Sequence, residues 1–342
     1  MATIRSFIKF WALSAFAVYG WLRLKLNRTP TLIILTYHRV LPENASERER
    51  EQPGMIVSPG NLQRHIKLIR SLGAAPVHLD EWLRKKDANE ALPPLSVAFT
   101  FDDGWRDNYV HGYPVLNREK VPATIFLVTN MIDTTSTFWP EQVIELLRTP
   151  GIDLKDPTLA WLQPYLGDYS DKPTPFSLLE ADEIINRLKD LDDATIIQHL
   201  NEAASSLKGT TASTEHAPAI LQARELKEMA EHNLVKYGAH TRNHFRLNRL
   251  KSKQALEDQI VGCLSDLKAM EISSVPIFCY PNGDITDGGE QLVAEHYRAA
   301  CTTKTGWNRA SRSDFDLHRF NLHDGNSSTP RTLLATIGRS LA

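Results

Sequence analysis

Apolar, strand-forming runs recur along this chain, and three of them stop abruptly at polar clusters. Residues 96–101 (SVAFTF) lead into Asp102-Asp103-Gly104, and residues 234–239 (LVKYGA) lead into His240, with His244 four positions on. Residues 275–279 (VPIFC) lead into Tyr280-Pro281-Asn282-Gly283-Asp284. Helical segments separate these runs, a rhythm that argues for a parallel sheet, as a barrel or a doubly wound fold. In such folds the carboxyl ends of the strands share one face, so three polar tips point to one common site. Two adjacent carboxylates repel each other, and a strand seldom ends that way for packing alone. A metal ion is the obvious compensating charge.

The same rhythm extends along most of the chain. Thr31–Val40 (TLIILTYHRV) is a buried-strand candidate, a helix follows over about 58–72, and residues 123–129 (ATIFLVT) form another strand. Between about Thr134 and Leu221 the period turns helical, with apolar residues at Ile184, Ile185, Leu188, Leu191, Ile196, Ile197 and Leu200. That stretch reads as a helical insertion ending in a polar linker, residues 208–217. At 342 residues, the chain has room for one large α/β domain with such an insertion.

Composition removes several classes. The formal net charge of -2 offers no support for nucleic-acid binding. Cys263, Cys279 and Cys301 lack CxxC spacing, so neither a thiolate zinc site nor a disulfide framework follows. The first 28 residues stand apart: Arg5 and Lys9 precede an uncharged run from Phe10 to Leu22, and Arg23, Lys25 and Arg28 follow it. The run is short for a transmembrane helix, which takes about 20 apolar residues, and no clear cleavage site follows it. With Trp11, Tyr19 and Trp21 beside cationic flanks, it suits a helix on a membrane surface, and a membrane-associated envelope protein is the expectation.

Taken singly, the clusters are ambiguous. Histidines at i and i+4 are often surface neighbours, and Asp before Gly is ordinary turn chemistry. Together they offer two imidazole nitrogens and a carboxylate, the ligand set of a catalytic zinc site, with the second aspartate left over as a general base.

TFDDG followed by HTRNH resembles the first two motifs of the polysaccharide deacetylases, the family 4 carbohydrate esterases with the NodB homology domain. FCYPNGD is similar to the third motif, and LTYHRV to the Tyr-His motif of the circularly permuted exopolysaccharide deacetylases. The resemblance runs from about Thr31 to Leu322 and implies a distorted (β/α) barrel with a helical insertion. It implies Asp102 as catalytic base, Asp103, His240 and His244 as metal ligands, and His38 as general acid, with His318 and His323 as rivals. The Asn282 N–H takes the oxyanion role, and Tyr37, Trp105 and Tyr280 are candidate substrate contacts. The metal implied is zinc, with cobalt or nickel as alternatives, and the substrate an N-acetylated envelope glycan or glycolipid. Hydrolysis of O-acetyl esters or other C–N amides, or glycan binding without catalysis, are the competing readings.

Two positions depart from the pattern. Cys279 stands where the family has an arginine that orients the base, and Asn282 stands where it has tyrosine. Arg39 and Arg319 read as surface ion-pair residues, and His65 as a structural histidine.

Overall fold

A computed structural model describes residues 2–206 and 218–340; the expected linker at 208–217 lies outside the described residues. Seven strands organise the barrel: β1 Thr31–Tyr37, β2 Leu95–Phe101, β3 Ala123–Leu127, β4 Val235–Ala239, β5 Ser274–Cys279, β6 Ala299–Cys301 and β7 Phe320–Asn321. Strands β1 to β6 pair in chain order, all parallel. The chain then returns: Leu317 bridges to Cys301 and β7 pairs with β1, so residues 317–321 join the two edges of the curled sheet.

Every residue of β1 and β2 is buried, which explains why these runs are continuously apolar rather than alternating. Successive side chains go to opposite faces. Ile33, Leu35 and Tyr37 join one cluster with Val97, Phe99 and Phe101, while Leu32 and Ile34 join another with Ala98, Phe126 and Cys279.

Register then fixes which residues meet at the tips. Tyr37 lies opposite Phe101, so the next residues, His38 and Asp102, leave the sheet side by side. Leu127 lies opposite Ala239, so His240 starts at the same edge, its N–H donating to the Leu127 carbonyl at 2.9 Å. Ala239 lies opposite Phe278, which brings Cys279 and Tyr280 to the same edge.

The helical stretch carries its own core. Helices α2 (Trp139–Arg148), α3 (Leu178–Leu188) and α4 (Asp193–Ser206) bury Val143, Ile144, Ile184, Ile185, Leu188, Ile196 and Leu200 together, the spacing read from the sequence. Ser177 and Glu180 start α3 with a capping box. One buried ion pair ties this core to the barrel. Asp193, 2% exposed, accepts from Arg246 N–H at 2.8 Å, Arg246 Nε at 3.0 Å and Trp139 Nε1 at 2.9 Å. The rest of the guanidinium donates to the Lys189 and Leu191 carbonyls, both at 2.6 Å.

At the N-terminus, helix α1 (Ala2–Leu26) packs on α5 (Pro330–Gly338). A Cβ on Gly20 would collide with the Leu334 carbonyl, and one on Gly338 with the Phe16 carbonyl, so the crossing requires glycine on both sides. Arg23 stacks 4.3 Å from Trp307 and donates to the Ser340 carbonyl at 2.6 Å. The opposite face of α1 leaves Phe7, Ile8, Trp11 and Val18 exposed. Among the described residues no helix is long and apolar enough to cross a membrane.

Tyr37 is corrected by this packing. Its ring is fully buried between Phe101 and His65, and its hydroxyl meets His65 Nδ1 at 3.1 Å, so it cannot reach a substrate. Strand alternation sends it away from the face that His38 occupies. His65 closes the chain of contacts by donating Nε2–H to the Ser327 carbonyl at 2.7 Å, and burial pulls its pKa down to about 4.

Two predictions follow from this packing. An unfolded histidine titrates near 6.5, so the unfolded chain binds the extra proton first as pH falls. Stability should therefore drop between pH 6.5 and about 4 by on the order of 3 kcal/mol, and thermal melts of His65→Gln across that range should be flatter than wild type. Asp193→Ala leaves a buried guanidinium short of its counter-charge and should cost about 3–5 kcal/mol in denaturant titrations. The double variant with Arg246→Ala should cost clearly less than the sum of the two single changes.

Candidate active site

Backbone geometry separates the two adjacent carboxylates. Asp102 prolongs β2, its N–H donating to the Tyr37 carbonyl at 2.9 Å. Asp103 then turns left-handed (φ 74°), as does Gly104 (φ 75°), and the second carboxyl swings away from the first. Thr241 (φ 63°), His244 (φ 61°) and Asn282 (φ 53°) are also left-handed, a concentration of costly backbone at one edge of the sheet.

Asp103, His240 and His244 converge as the sequence predicts. Asp103 Oδ1 lies 3.3 Å from His240 Nε2 and 3.4 Å from His244 Nε2. His240 Nδ1 sits 2.7 Å from the Cys279 carbonyl, which assigns the proton to Nδ1 and leaves the Nε2 lone pair facing Asp103. Trp105 donates its indole N–H to Asp103 Oδ2 at 3.0 Å, and Phe138 packs against the His244 ring. These three ligand atoms could hold one divalent cation, the donor set fits, and the His240 tautomer is the one that ligation needs.

Asp102 has a different surrounding. Arg319, 4% exposed, donates to its Oδ1 at 2.8 Å, Cys279 Sγ lies 3.6 Å from Oδ2, and His38 Nε2 lies 3.9 Å from Oδ2. Arg319 is therefore no surface residue. It fixes the Asp102 carboxylate from 217 positions away, as no arginine at the Cys279 position can here, and its own Nε is held on the Thr302 carbonyl at 3.0 Å. Arg39 is likewise buried in ion pairs, with Asp107 at 2.8 Å and Glu51 at 2.7 Å.

Charge follows from these contacts. Burial alone pushes both aspartates up, yet Arg319, His240 and His38 hold Asp102 below the usual carboxylate range. For Asp103 the close His240 and His244 rings outweigh burial, and it lies far lower still. Burial keeps His244 neutral, with a pKa of about 4, while the two aspartates lift His240 above its ordinary value.

A cavity of about 330 Å³ opens over the set, lined by His38, Asp102, Asp103, His240, His244, Tyr280, Asn282 and Arg319. Phe138, Trp139, Pro140, Glu141 and Lys189 wall its other side, from the start of α2 and the end of α3. Neither His318, held by Arg312 and Asp316, nor His323, which caps a short helix, lines it. Trp105 lines the cavity, but its indole is 1% exposed, its N–H is committed to Asp103 and Arg39 covers its face at 4.3 Å. It buttresses Asp103 rather than offering a stacking platform. Sequence reasoning missed Arg319, Glu141 and the Asp193–Arg246 clamp two residues beyond His244, because no motif spacing links them to the site.

A family model for polysaccharide deacetylase matches residues 89–220 and 196–298. The poly-β-1,6-N-acetyl-D-glucosamine N-deacetylase of Staphylococcus aureus is 31% identical over 107 residues, 29% of this chain and 37% of that protein. The chain spans less than half the length of the curated relatives it matches. The fold is shared with the Streptococcus pyogenes deacetylase PplD in complex with acetate, at 19% identity and a TM-score of 0.57 over 90% of this chain and 99% of that one. It is shared also with IcaB from Ammonifex degensii, at 16% identity and a TM-score of 0.55 over 90% and 98% of the two chains. With the family model covering well over half of its length and the same barrel in both solved structures, this chain belongs to the polysaccharide deacetylase family.

Proposed function

We propose that this protein hydrolyses the N-acetyl group of an amino sugar in an envelope or extracellular glycan, releasing acetate and a free amine. One observation carries the reading: a buried carboxylate, Asp102, is held in its charged form by Arg319 beside a separate Asp103–His240–His244 ligand set. A binding module would need no base there. A divalent cation on those three ligands, zinc or alternatively cobalt or nickel, would polarise the acetyl carbonyl and ease deprotonation of a water.

The chain's own groups supply the rest. Asp102 takes the proton of the attacking water, with Arg319 fixing the carboxylate by its Oδ1 so that Oδ2 faces the cavity side where His38 lies. His38 gives its Nε2 proton to the departing amine, which otherwise leaves poorly. The backbone N–H of Asn282, in the left-handed turn after Pro281, is the assigned partner for the developing oxyanion. The Staphylococcus aureus relative, a poly-β-1,6-N-acetyl-D-glucosamine N-deacetylase, makes a β-linked N-acetylglucosamine polymer the first substrate to try.

The exposed face of α1 bears the second part of the proposal. Phe7, Ile8 and Trp11 stand out from a helix that also carries Arg5, Lys9 and Lys25, the chemistry of a segment lying on an anionic lipid surface. Such a surface would place the protein at the cell envelope, against a lipid-linked or membrane-proximal glycan.

Both parts are open to direct measurement. Acetate release from an N-acetylglucosamine oligomer should fall by about 10²–10⁴-fold in Asp102→Asn. It should also vanish on chelation and return with zinc; activity that survives both treatments refutes the assignment. A parallel assay on an O-acetylated glycan separates amide from ester hydrolysis. Phe7→Ser with Trp11→Ser should reduce co-sedimentation with anionic vesicles while leaving acetate release from a soluble oligomer unchanged.

A further inference from the structure

Three carboxylates line the cavity, and the scheme above uses only Asp102 and Asp103. The third, Glu141, comes from the first turn of α2, outside the barrel and its motifs. Its Oε2 is buried and meets no hydrogen-bond donor. The hydroxyl of Tyr280, on the same cavity and 1% exposed, is also unpartnered. An unsatisfied buried polar group costs about 1–3 kcal/mol, so a carboxyl left in that state over a reactive site points to a ligand that completes it.

The surroundings restrict that ligand. Burial, and the negative charges of Glu51 and Asp103, push the Glu141 carboxyl well above the usual range, and Arg39 offsets them only in part. Arg39 is itself occupied by Glu51 and Asp107. An anionic group would meet the Glu141 and Asp103 carboxyls on this cavity, with Glu51 behind them, so the fit is to a neutral group that both donates and accepts, as a sugar hydroxyl does. Glu141 and Trp105 also form the partition between this cavity and a second one lined by Arg50, Arg106, His111 and Glu145. Glu141 thus stands where a glycan chain would leave the reacting residue for its neighbour.

We propose that Glu141 is a substrate-binding residue, supplied by the helical insertion, whose carboxyl hydrogen-bonds a ring hydroxyl of the N-acetylated sugar seated over Asp103, His240 and His244. The inference rests on the deacetylase reading of the site. It gives the insertion a part in substrate selection, since the barrel motifs contain no counterpart of this group.

The test compares KM and kcat for acetate release from an N-acetylglucosamine oligomer in wild type, Glu141→Ala, Glu141→Leu and Glu141→Gln. Loss of one hydrogen bond to the bound sugar should raise KM about tenfold in the alanine and leucine variants, with kcat within about threefold. Glutamine, which can still donate and accept, should recover most of the difference. Melting temperatures should not fall in the leucine variant, which removes a buried polar atom that has no partner in the protein; a fall there would mean that the carboxyl is already satisfied within the fold and overturns the inference. An unchanged KM in the alanine or leucine variant overturns the inference, as does a loss confined to kcat. If the wild-type protein releases acetate from no glycan, the reading of the whole site fails, and this inference with it.

Discussion

The site is built around the cost of burying two neighbouring carboxylates at a strand tip. Asp102 and Asp103 are 2% and 3% exposed, and isolated ionised carboxylates do not survive at such burial. The fold resolves the problem by splitting the pair. Left-handed backbone at Asp103 turns its carboxyl toward His240 and His244, while Asp102 continues along the strand toward Arg319. Each aspartate thereby acquires a different partner and a different chemistry. The ion pair with Arg319 is also what makes the closure of the barrel matter, because that arginine lies in the 317–321 segment joining β6 to β1.

Much of this was legible in the sequence. The continuous apolar runs announced buried parallel strands, and parallel register places their ends together, so the convergence of Asp102, Asp103, His240 and His244 followed from strand tips alone. His38 came from the resemblance of LTYHRV to a family motif, and the register explains its place, as the residue after β1 beside the residue after β2. What escaped reading depends on contacts with no local signature. Arg319 sits in a segment of two-residue pairings with no strand period to mark it, and its partner is 217 positions away. Tyr37 was misplaced because adjacency to His38 suggested a shared role, whereas alternation sends neighbours on a strand to opposite faces. Trp105 lies beside the motif as expected, but its indole edge serves Asp103 and its face serves Arg39.

The helical insertion joins the site at two levels. Its Asp193 fixes Arg246, two residues beyond His244, and so restrains a loop in which His244 itself adopts a left-handed conformation. Arg246 in turn binds the Lys189 and Leu191 carbonyls just past the end of α3, and Lys189 lines the cavity. The insertion packs around a core of its own, and this buried clamp ties its cavity wall to the loop that carries His244.

Charge arithmetic at the site then accounts for the choice of ligand types. Asp102 and Arg319 cancel, so this carboxylate contributes no net charge to the cavity although it remains ionised. Asp103 is the only other carboxylate on the ligand set, and burial keeps His244 neutral. Against a dication such a set leaves positive charge in surplus, which is where a carbonyl oxygen that gains negative charge during attack is stabilised most. A second ligating aspartate would remove that surplus. The separation of the two carboxylates by a left-handed turn thus leaves Asp102 paired with Arg319, while Asp103 alone brings its charge to the two imidazoles.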